Sequence, residues 1–174
     1  AHSFIRDSDL LEDLHKTGFV TGVFGLEVAD EDELKKMHKG ITLDEVREVT
    51  AQFRKYGITS VITWMIGFPD DDEKIIKHRL NTLDQIDPDV MALQMLLPVP
   101  GMLMYEECVP FIEEHDLTKW DFHQPVVRTK HLTREQLGGL AAWANKEFYT
   151  KKDRVQRVLQ SEVLSPYSKA IFKS

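Results

Sequence analysis

The chain has 174 residues, 42% hydrophobic and 29% charged, which is the balance of a globular domain with a sizeable core. Its formal net charge of -7 argues against a broad face for nucleic-acid phosphates. One cysteine, Cys108, excludes an internal disulfide and indicates a reducing, cytoplasmic setting. No run of about 18 apolar residues occurs, so no membrane-spanning helix is predicted.

The first part of the chain predicts a helix followed by a strand. Asp9 and Glu12 have the spacing of a helix start, and Gly18 ends that helix. Residues 19–26 are so continuously apolar that they predict a parallel strand buried on both faces. Glu27 ends this strand, where an unpaired carboxylate is costly, so we expect it to meet a backbone amide, a lysine or a ligand hydroxyl.

Two helices and a second strand come next. Asp30 starts a short helix that ends before Gly40, and Thr42 forms a capping box with Glu45 that opens a longer helix. Residues 58–66 are rich in isoleucine, valine and threonine, and they predict the second strand.

Proline and glycine mark the ends of the second and third strands. Gly67-Phe68-Pro69 ends the second strand, and Asp70 is predicted to cap a helix over residues 71–85, where acidic residues favour the helix dipole. Residues 90–97 form the third near-continuous apolar run, which two prolines and a glycine stop. A helix is predicted over residues 102–114.

The pattern changes in the last third of the chain. Residues 116–131 include Trp120 and Phe122 without any regular period, which indicates an extended loop. Thr133 opens a long helix with a second capping box, and residues 151–164 continue as a more charged helix.

Helices and strands alternate three times, which predicts parallel strands joined by right-handed crossovers. We therefore predict an α/β protein in which residues 1–115 form half of a TIM-type βα barrel and residues 116–174 a C-terminal helical extension. Ligands in such folds bind at the carboxyl ends of the strands, so Glu27, Gly67 and residues 96–101 are expected on one rim. A half barrel leaves sheet edges uncovered, which predicts self-association; a monodisperse monomer in light scattering would contradict this.

Polar residues interrupt the apolar strands close to that rim. Thr63 in the second strand and Gln94 in the third stand at heights comparable to Glu27. Ligand contacts would explain them, and so would cross-strand hydrogen bonds inside a barrel. His123 and His131 lie in the loop of residues 116–131, which we call the aromatic loop, and they either face a ligand or are ordinary solvated histidines.

Metal-ligand spacing is absent from the sequence. None of the seven histidines is paired with another at the spacing of one helical turn, and no second cysteine exists, so no metal site is predicted within this chain. Glu106 and Glu107 precede Cys108 and would raise the pKa of its thiol, which indicates a structural cysteine.

Three segments between residues 18 and 105 carry a resemblance. They are Phe24-Gly25-Leu26-Glu27 with Glu33-Leu34-Lys35-Lys36-Met37-His38-Lys39-Gly40-Ile41-Thr42, then Met65-Ile66-Gly67-Phe68-Pro69, then Leu97-Pro98-Val99-Pro100-Gly101-Met102. In order and spacing they resemble the middle of radical S-adenosylmethionine enzymes, in the branch that carries an N-terminal cobalamin-binding domain. The resemblance implies a partial βα barrel of which this chain supplies the second half.

The resemblance also implies which residues hold S-adenosylmethionine. Glu27 would contact the ribose and Lys39 the methionyl carboxylate, which a flexible lysine can pair as a point charge. The remaining implied contacts are Thr63 at the ribose hydroxyls, Ile66, Gly67 and Phe68 along the adenine, and Leu96 beside it, with Gln94 as a further candidate.

The C-terminal segments narrow the resemblance. Lys119-Trp120-Asp121-Phe122, Pro125-Val126-Val127, Leu132-Thr133-Arg134-Glu135-Gln136-Leu137 and Phe148-Tyr149-Thr150-Lys151-Lys152 are similar to the anaerobic magnesium-protoporphyrin IX monomethyl ester cyclases. This implies an oxidoreductase of bacteriochlorophyll biosynthesis with a tetrapyrrole as its small-molecule substrate. The aromatic loop would line the substrate mouth or serve as a packing flap.

The sequence also departs from that family. It contains neither the three-cysteine motif for the 4Fe-4S iron-sulfur cluster nor a cobalamin domain, so both are expected to precede Ala1 and the chain alone is expected to be inactive. Two alternatives stay open. One is a cobalamin-dependent radical methyltransferase, or another radical enzyme with the same rim; the other is a non-catalytic domain that binds a nucleoside or a partner protein.

Overall fold

A computed structural model of the chain describes residues 8–102 and 104–160. In chain order its elements are helix α1 (Ser8–Lys16), strand β1 (Thr21–Glu27), helices α2 (Glu31–Lys36) and α3 (Leu43–Lys55), strand β2 (Thr59–Ile66), helix α4 (Glu73–Ile86), strand β3 (Val90–Met95), helix α5 (Tyr105–Cys108), two 3-10 turns (Val109–Phe111 and Leu117–Lys119) and helices α6 (Arg134–Tyr149) and α7 (Lys152–Gln160). The predicted end of the last helix at residue 164 lies outside the described residues.

The three strands form one open parallel sheet in the order β1-β2-β3. The predicted α/β class, a partial βα barrel followed by a helical extension, is confirmed. β1 and β3 are the edge strands of this sheet, although the backbone N–H of Met95 donates to the carbonyl of Phe122 at 2.8 Å, so the aromatic loop meets β3 at its end. Self-association through the edges stays a prediction.

Strand β1 differs from its prediction. Its residues alternate between exposed and buried, with Val23 64% exposed and Phe24 8% exposed. The prediction that both faces are buried is wrong for the described chain, because helix α3 covers only the face that carries Phe24. A continuous apolar run specifies a strand, but it does not specify what covers each face.

Some element boundaries also differ. Both capping boxes are present as predicted, Thr42 with Glu45 and Thr133 with Gln136. The predicted cap at Asp70 is wrong: Asp72 accepts from the Ile75 N–H and is the N-cap of α4. The helix predicted over residues 102–114 is shorter, because only Tyr105–Cys108 and one 3-10 turn form within it. Within the described part of the chain, no helix combines the length and apolarity needed to cross a bilayer.

Gly22 lets helix α3 approach strand β1 closely, because a Cβ there would lie 2.1 Å from Cε2 of Phe53. The Phe53 ring is fully buried, with ring centroids at 6.3 Å from Phe19 and 5.0 Å from Phe24, so it has no room to retreat. We expect Gly22→Ala to lower the free energy of unfolding by about 1–3 kcal/mol in urea titrations.

Gly139→Ala is the matched control for this change. Nothing lies within 4 Å of a Cβ at Gly139 in helix α6, so the substitution should stabilise the helix by about 0.5–1 kcal/mol. An unchanged unfolding midpoint for Gly22→Ala would contradict the close packing.

Candidate functional site

A cavity of about 610 Å³ opens where β1 and β2 end, between helix α2 and the turn that follows β2. The carboxyl ends of parallel strands are where such folds hold ligands. Its walls combine charged side chains with apolar ones, and four methionines contribute: Met37, Met65, Met102 and Met104. Methionine side chains are flexible and adapt to flat or irregular ligands, and the sequence patterns did not single them out.

Glu27 and Lys39 form an ion pair at the edge of this cavity. Lys39 Nζ lies 2.8 Å from Glu27 Oε1, and the two side chains are 31% and 23% exposed, respectively. The pairing of β1 with β2 shifts register between Gly25 and Glu27, and Glu27 has a positive φ of 66°. Such an irregularity re-aims a side chain at the strand end, and here the donor partner expected for Glu27 is a lysine.

Thr63 and Gln94 stand on the same sheet face. Gln94 pairs with Met65 in β2, and Met65 lies two residues after Thr63 in that strand, so all three point to one side; Thr63 itself pairs with Gly25 in β1. Both side chains are half-buried and neither lines the cavity. The Thr63 hydroxyl donates to the carbonyl of Phe24 at 3.4 Å, a long cross-strand hydrogen bond. This contact is the kind that the barrel-interior alternative expects, and a ligand role for either residue stays a prediction.

The residues expected along the adenine separate into two groups. Phe68 is only 4% exposed but lines the cavity, whereas Ile66 and Leu96, 0% and 2% exposed, lie in the core and do not line it. The N–H of Leu96 donates to the Ile66 carbonyl at 2.9 Å, so that oxygen already has a partner. The structure thus brings Glu27, Lys39 and Phe68 to one cavity and leaves Ile66 and Leu96 beneath it.

A buried carboxylate holds the turn after β2, and the sequence patterns did not predict it. Asp71 is 1% exposed, and its Oδ2 accepts the N–H groups of Gly67 at 2.8 Å and Phe68 at 3.1 Å. Its Oδ1 accepts from Arg79 at 2.6 Å, and Arg79 also donates to Glu33 at 3.0 Å. Burial raises the pKa of the Asp71 carboxyl, and the Arg79 charge and the hydrogen bonds of the N–H groups oppose that rise.

One sequence signal could have revealed this network. Arg79 falls on the face of helix α4 that also carries Ile76, Leu80 and Leu83, all buried. An arginine on an apolar helix face requires a carboxylate partner, and the run of acids before the helix offered one. The helix dipole therefore does not explain Asp71, which is held by Arg79 and two backbone N–H groups.

Cys108, His123 and His131 do not line this cavity. Cys108 is 1% exposed, and burial together with the charge of Glu107 raises the pKa of its thiol. His123 and His131 are solvent-exposed and do not line the cavity. No group of histidine, cysteine or acidic side chains among residues 8–102 and 104–160 is arranged to hold a metal ion.

Comparison with known proteins supports the resemblance found in the sequence. The chain is 26% identical over 147 residues to an anaerobic magnesium-protoporphyrin IX monomethyl ester cyclase of Cereibacter sphaeroides, covering 84% of this chain and 24% of that protein. A cyclase of the same name from Synechocystis is 26% identical over 76% of the chain and 27% of its own length. An uncharacterised methyltransferase of Pyrococcus horikoshii is 26% identical over 77% of the chain and 30% of its own length.

The predicted similarity to these enzymes is confirmed at that level. The chain spans about a quarter to a third of the length of these relatives. No family model matches the chain.

Proposed function

We propose that this chain is the cofactor-holding second half of the barrel of a radical S-adenosylmethionine enzyme. In the whole protein, we propose the reaction of an anaerobic magnesium-protoporphyrin IX monomethyl ester cyclase in bacteriochlorophyll biosynthesis. The observation that carries this proposal is the 26% identity to the Cereibacter cyclase, which extends over 84% of the chain. Glu27, Lys39 and Phe68, which line one cavity, support the proposal.

The donor set at the cavity fits S-adenosylmethionine. A carboxylate such as Glu27 accepts hydrogen bonds from ribose hydroxyls, and the Lys39 ammonium pairs with a carboxylate. The two charged groups lie 2.8 Å apart, so a single ligand that carries both hydroxyls and a carboxylate can contact both of them. Met65 supplies an apolar surface for a flat base, and Phe68, 4% exposed, also lines the cavity.

The overall charge of the lining suits the same ligand. Five carboxylates face three cations around the cavity, namely Glu27, Glu33, Asp70, Asp71 and Glu107 against Lys36, Lys39 and Arg79. An excess of negative charge attracts a positively charged sulfonium. Thr63, Ile66, Gly67, Gln94 and Leu96 remain proposed contacts.

The donor set does not fit a 4Fe-4S cluster. Such clusters are held by several cysteine thiolates, and the one cysteine here is buried with a raised thiol pKa. We therefore propose that the cluster ligands, and any cobalamin site, lie outside this chain. It follows that the chain alone does not cleave S-adenosylmethionine.

Substitution of the ion pair tests the cofactor site. In the full-length protein, Glu27→Gln and Lys39→Met should each weaken S-adenosylmethionine binding about tenfold in isothermal titration calorimetry, because each removes a charged hydrogen-bonding partner. Lys35→Met is the control, since Lys35 lies on the exposed side of helix α2 with its side chain 73% exposed. Equal affinities for all three variants and the wild type would reject the proposed site.

Product analysis tests the reaction. Anaerobic incubation of the reduced full-length protein with magnesium-protoporphyrin IX monomethyl ester should yield a ring-closed pigment. A purely methylated product would instead support a radical methyltransferase, the second candidate, which the similarity to the Pyrococcus methyltransferase over 77% of the chain favours. Failure of the full-length protein to bind S-adenosylmethionine would leave the non-catalytic alternative.

A further inference from the structure

The turn of residues 67–71, which we call the rim turn, carries Phe68 into the cavity and is held from within by Asp71. One carboxylate oxygen of Asp71 accepts both the Gly67 and the Phe68 N–H, and the Asp71 N–H donates to the Phe68 carbonyl at 2.9 Å. Gly67 has a φ of 105°, which favours glycine. The position of Phe68 therefore follows the position of Asp71.

The C-terminal extension holds the same turn from the other side. Thr129 is 2% exposed, and its hydroxyl donates to the carbonyl of Asp71 at 2.7 Å. That hydroxyl also accepts the N–H groups of His131 at 3.1 Å and Leu132 at 2.8 Å, so it joins two chain segments 58 residues apart.

A second set of contacts joins the same two segments. The Lys130 N–H donates to the Pro69 carbonyl at 2.9 Å, and the Lys130 ammonium pairs with the Asp70 carboxylate. A Cβ at Gly67 would lie 3.3 Å from Leu137 and 3.5 Å from Val127, so side chains of the extension also pack against the turn. The backbone of the rim turn is thus fastened to the extension on the side away from the cavity.

We propose that Thr129 is a positioning residue for the ligand cavity and makes the C-terminal extension part of the cofactor site. This inference rests on the proposed function, because the ligand it concerns is S-adenosylmethionine. Thr129 does not line the cavity and acts through Asp71 and the rim turn. Loosening the extension should therefore free the Phe68 side chain and the N–H groups of Gly67 and Phe68 before the sheet unfolds.

Two substitutions of Thr129 in the full-length protein separate positioning from bulk. Thr129→Val keeps the shape and removes the hydroxyl, whereas Thr129→Ser keeps the hydroxyl. For Thr129→Val we expect amide hydrogen exchange at Gly67 and Phe68 to accelerate about tenfold and the Kd for S-adenosylmethionine to rise about tenfold, and Thr129→Ser should restore both.

Ser60→Ala provides a control for general loss of stability. Ser60 is also fully buried and its hydroxyl donates to Asp89 at 2.9 Å, but it lies at the amino end of β2. All measurements are made where every variant is folded. The control should lower the unfolding temperature without changing exchange at the rim turn or ligand affinity.

Each outcome decides the inference. Unchanged exchange at Gly67 and Phe68 in Thr129→Val would overturn it, and so would equal effects of Ser60→Ala on exchange there. If the wild-type protein does not bind S-adenosylmethionine, the proposed function fails, while the exchange measurement still decides whether Thr129 positions the turn.

Discussion

Replacing Arg79 with methionine is expected to lower the free energy of unfolding by about 3–5 kcal/mol, since it leaves a buried carboxylate without its counter-charge. The side chains of Arg79 and Asp71 are 2% and 1% exposed and lie 2.6 Å apart. Methionine fills much of the volume but donates no hydrogen bond. Asp71 then retains only its two backbone donors, and Glu33 loses its arginine partner. Urea unfolding at neutral pH measures the loss.

The loss in Arg79→Met should depend on pH in a defined direction. Burial already raises the pKa of Asp71 in the folded protein, and removal of the arginine charge raises it further. A folded state with the higher pKa binds more protons than the unfolded state, so the stability of the variant falls as pH rises through this window. The deficit should be smallest below the ordinary aspartate pKa of about 3.9 and largest above the raised one.

A second substitution in the same protein tests the cause. Arg79→Met combined with Asp71→Asn removes the unpaired charge, keeps an acceptor for the backbone N–H groups, and should recover part of the lost stability. Lys74→Met, on the exposed side of the same helix, should change stability by no more than about 0.5 kcal/mol. If the double variant is no more stable than Arg79→Met at neutral pH, the buried charge is not the cause.

Arg154→Met is expected to lower the free energy of unfolding by about 3 kcal/mol, because this arginine fixes helix α7 to the end of helix α4 and to the segment just before β3. Its side chain is 2% exposed and donates to the carbonyls of Pro88 at 3.2 Å and Phe148 at 2.8 Å. It also pairs with Asp84 and Asp87, and its guanidinium carbon lies 3.7 Å from the centroid of the Phe148 ring. Both carbonyls would lose this donor.

The attachment of helix α7 through Asp87 should also weaken at acid pH. Although burial favours the neutral form, the hydrogen bond from Arg157 and the charges of Arg157, Arg54 and Arg154 lower the pKa of Asp87. A carboxyl with a lowered folded pKa stabilises the protein above its ordinary pKa of about 3.9, and this contribution is lost as pH falls through the folded value.

Arg154→Met should therefore lose less stability than the wild type between neutral pH and acid, because it has already lost part of the interaction. Thermal unfolding followed by circular dichroism across that pH range measures this. Lys152→Met, at an exposed position of the same helix, is the control and should follow the wild type. Parallel pH profiles for Arg154→Met and the wild type would show that the pairing of Arg154 with Asp87 does not contribute to the acid sensitivity.

The two buried arginines lie at opposite ends of the sheet and should affect function differently. Arg154 is at the amino ends of the strands, where residues of βα folds serve stability. Arg79 is next to the cavity at the carboxyl ends. Among variants that remain folded, we therefore expect changes around Arg79 to alter ligand affinity and changes around Arg154 to leave it unaltered.

Elements with local signals could be predicted from the sequence alone. The boxes at Thr42 and Thr133 were correctly predicted, because a cap depends on residues three positions apart. The parallel α/β class followed from alternating apolar runs and amphipathic helices. The resemblance motifs pointed to the strand ends, and Glu27, Lys39 and Phe68 do meet at one cavity there.

Which polar groups are buried together and which strand faces are covered depends on tertiary packing. Arg79 bonds Glu33 across 46 residues and Thr129 bonds Asp71 across 58 residues, so these hydrogen bonds depend on how the helix and the extension pack against the sheet. The same dependence left one face of β1 exposed. A local pattern records the period and the ends of an element, whereas burial and long-range pairing arise from the elements that come to lie beside it.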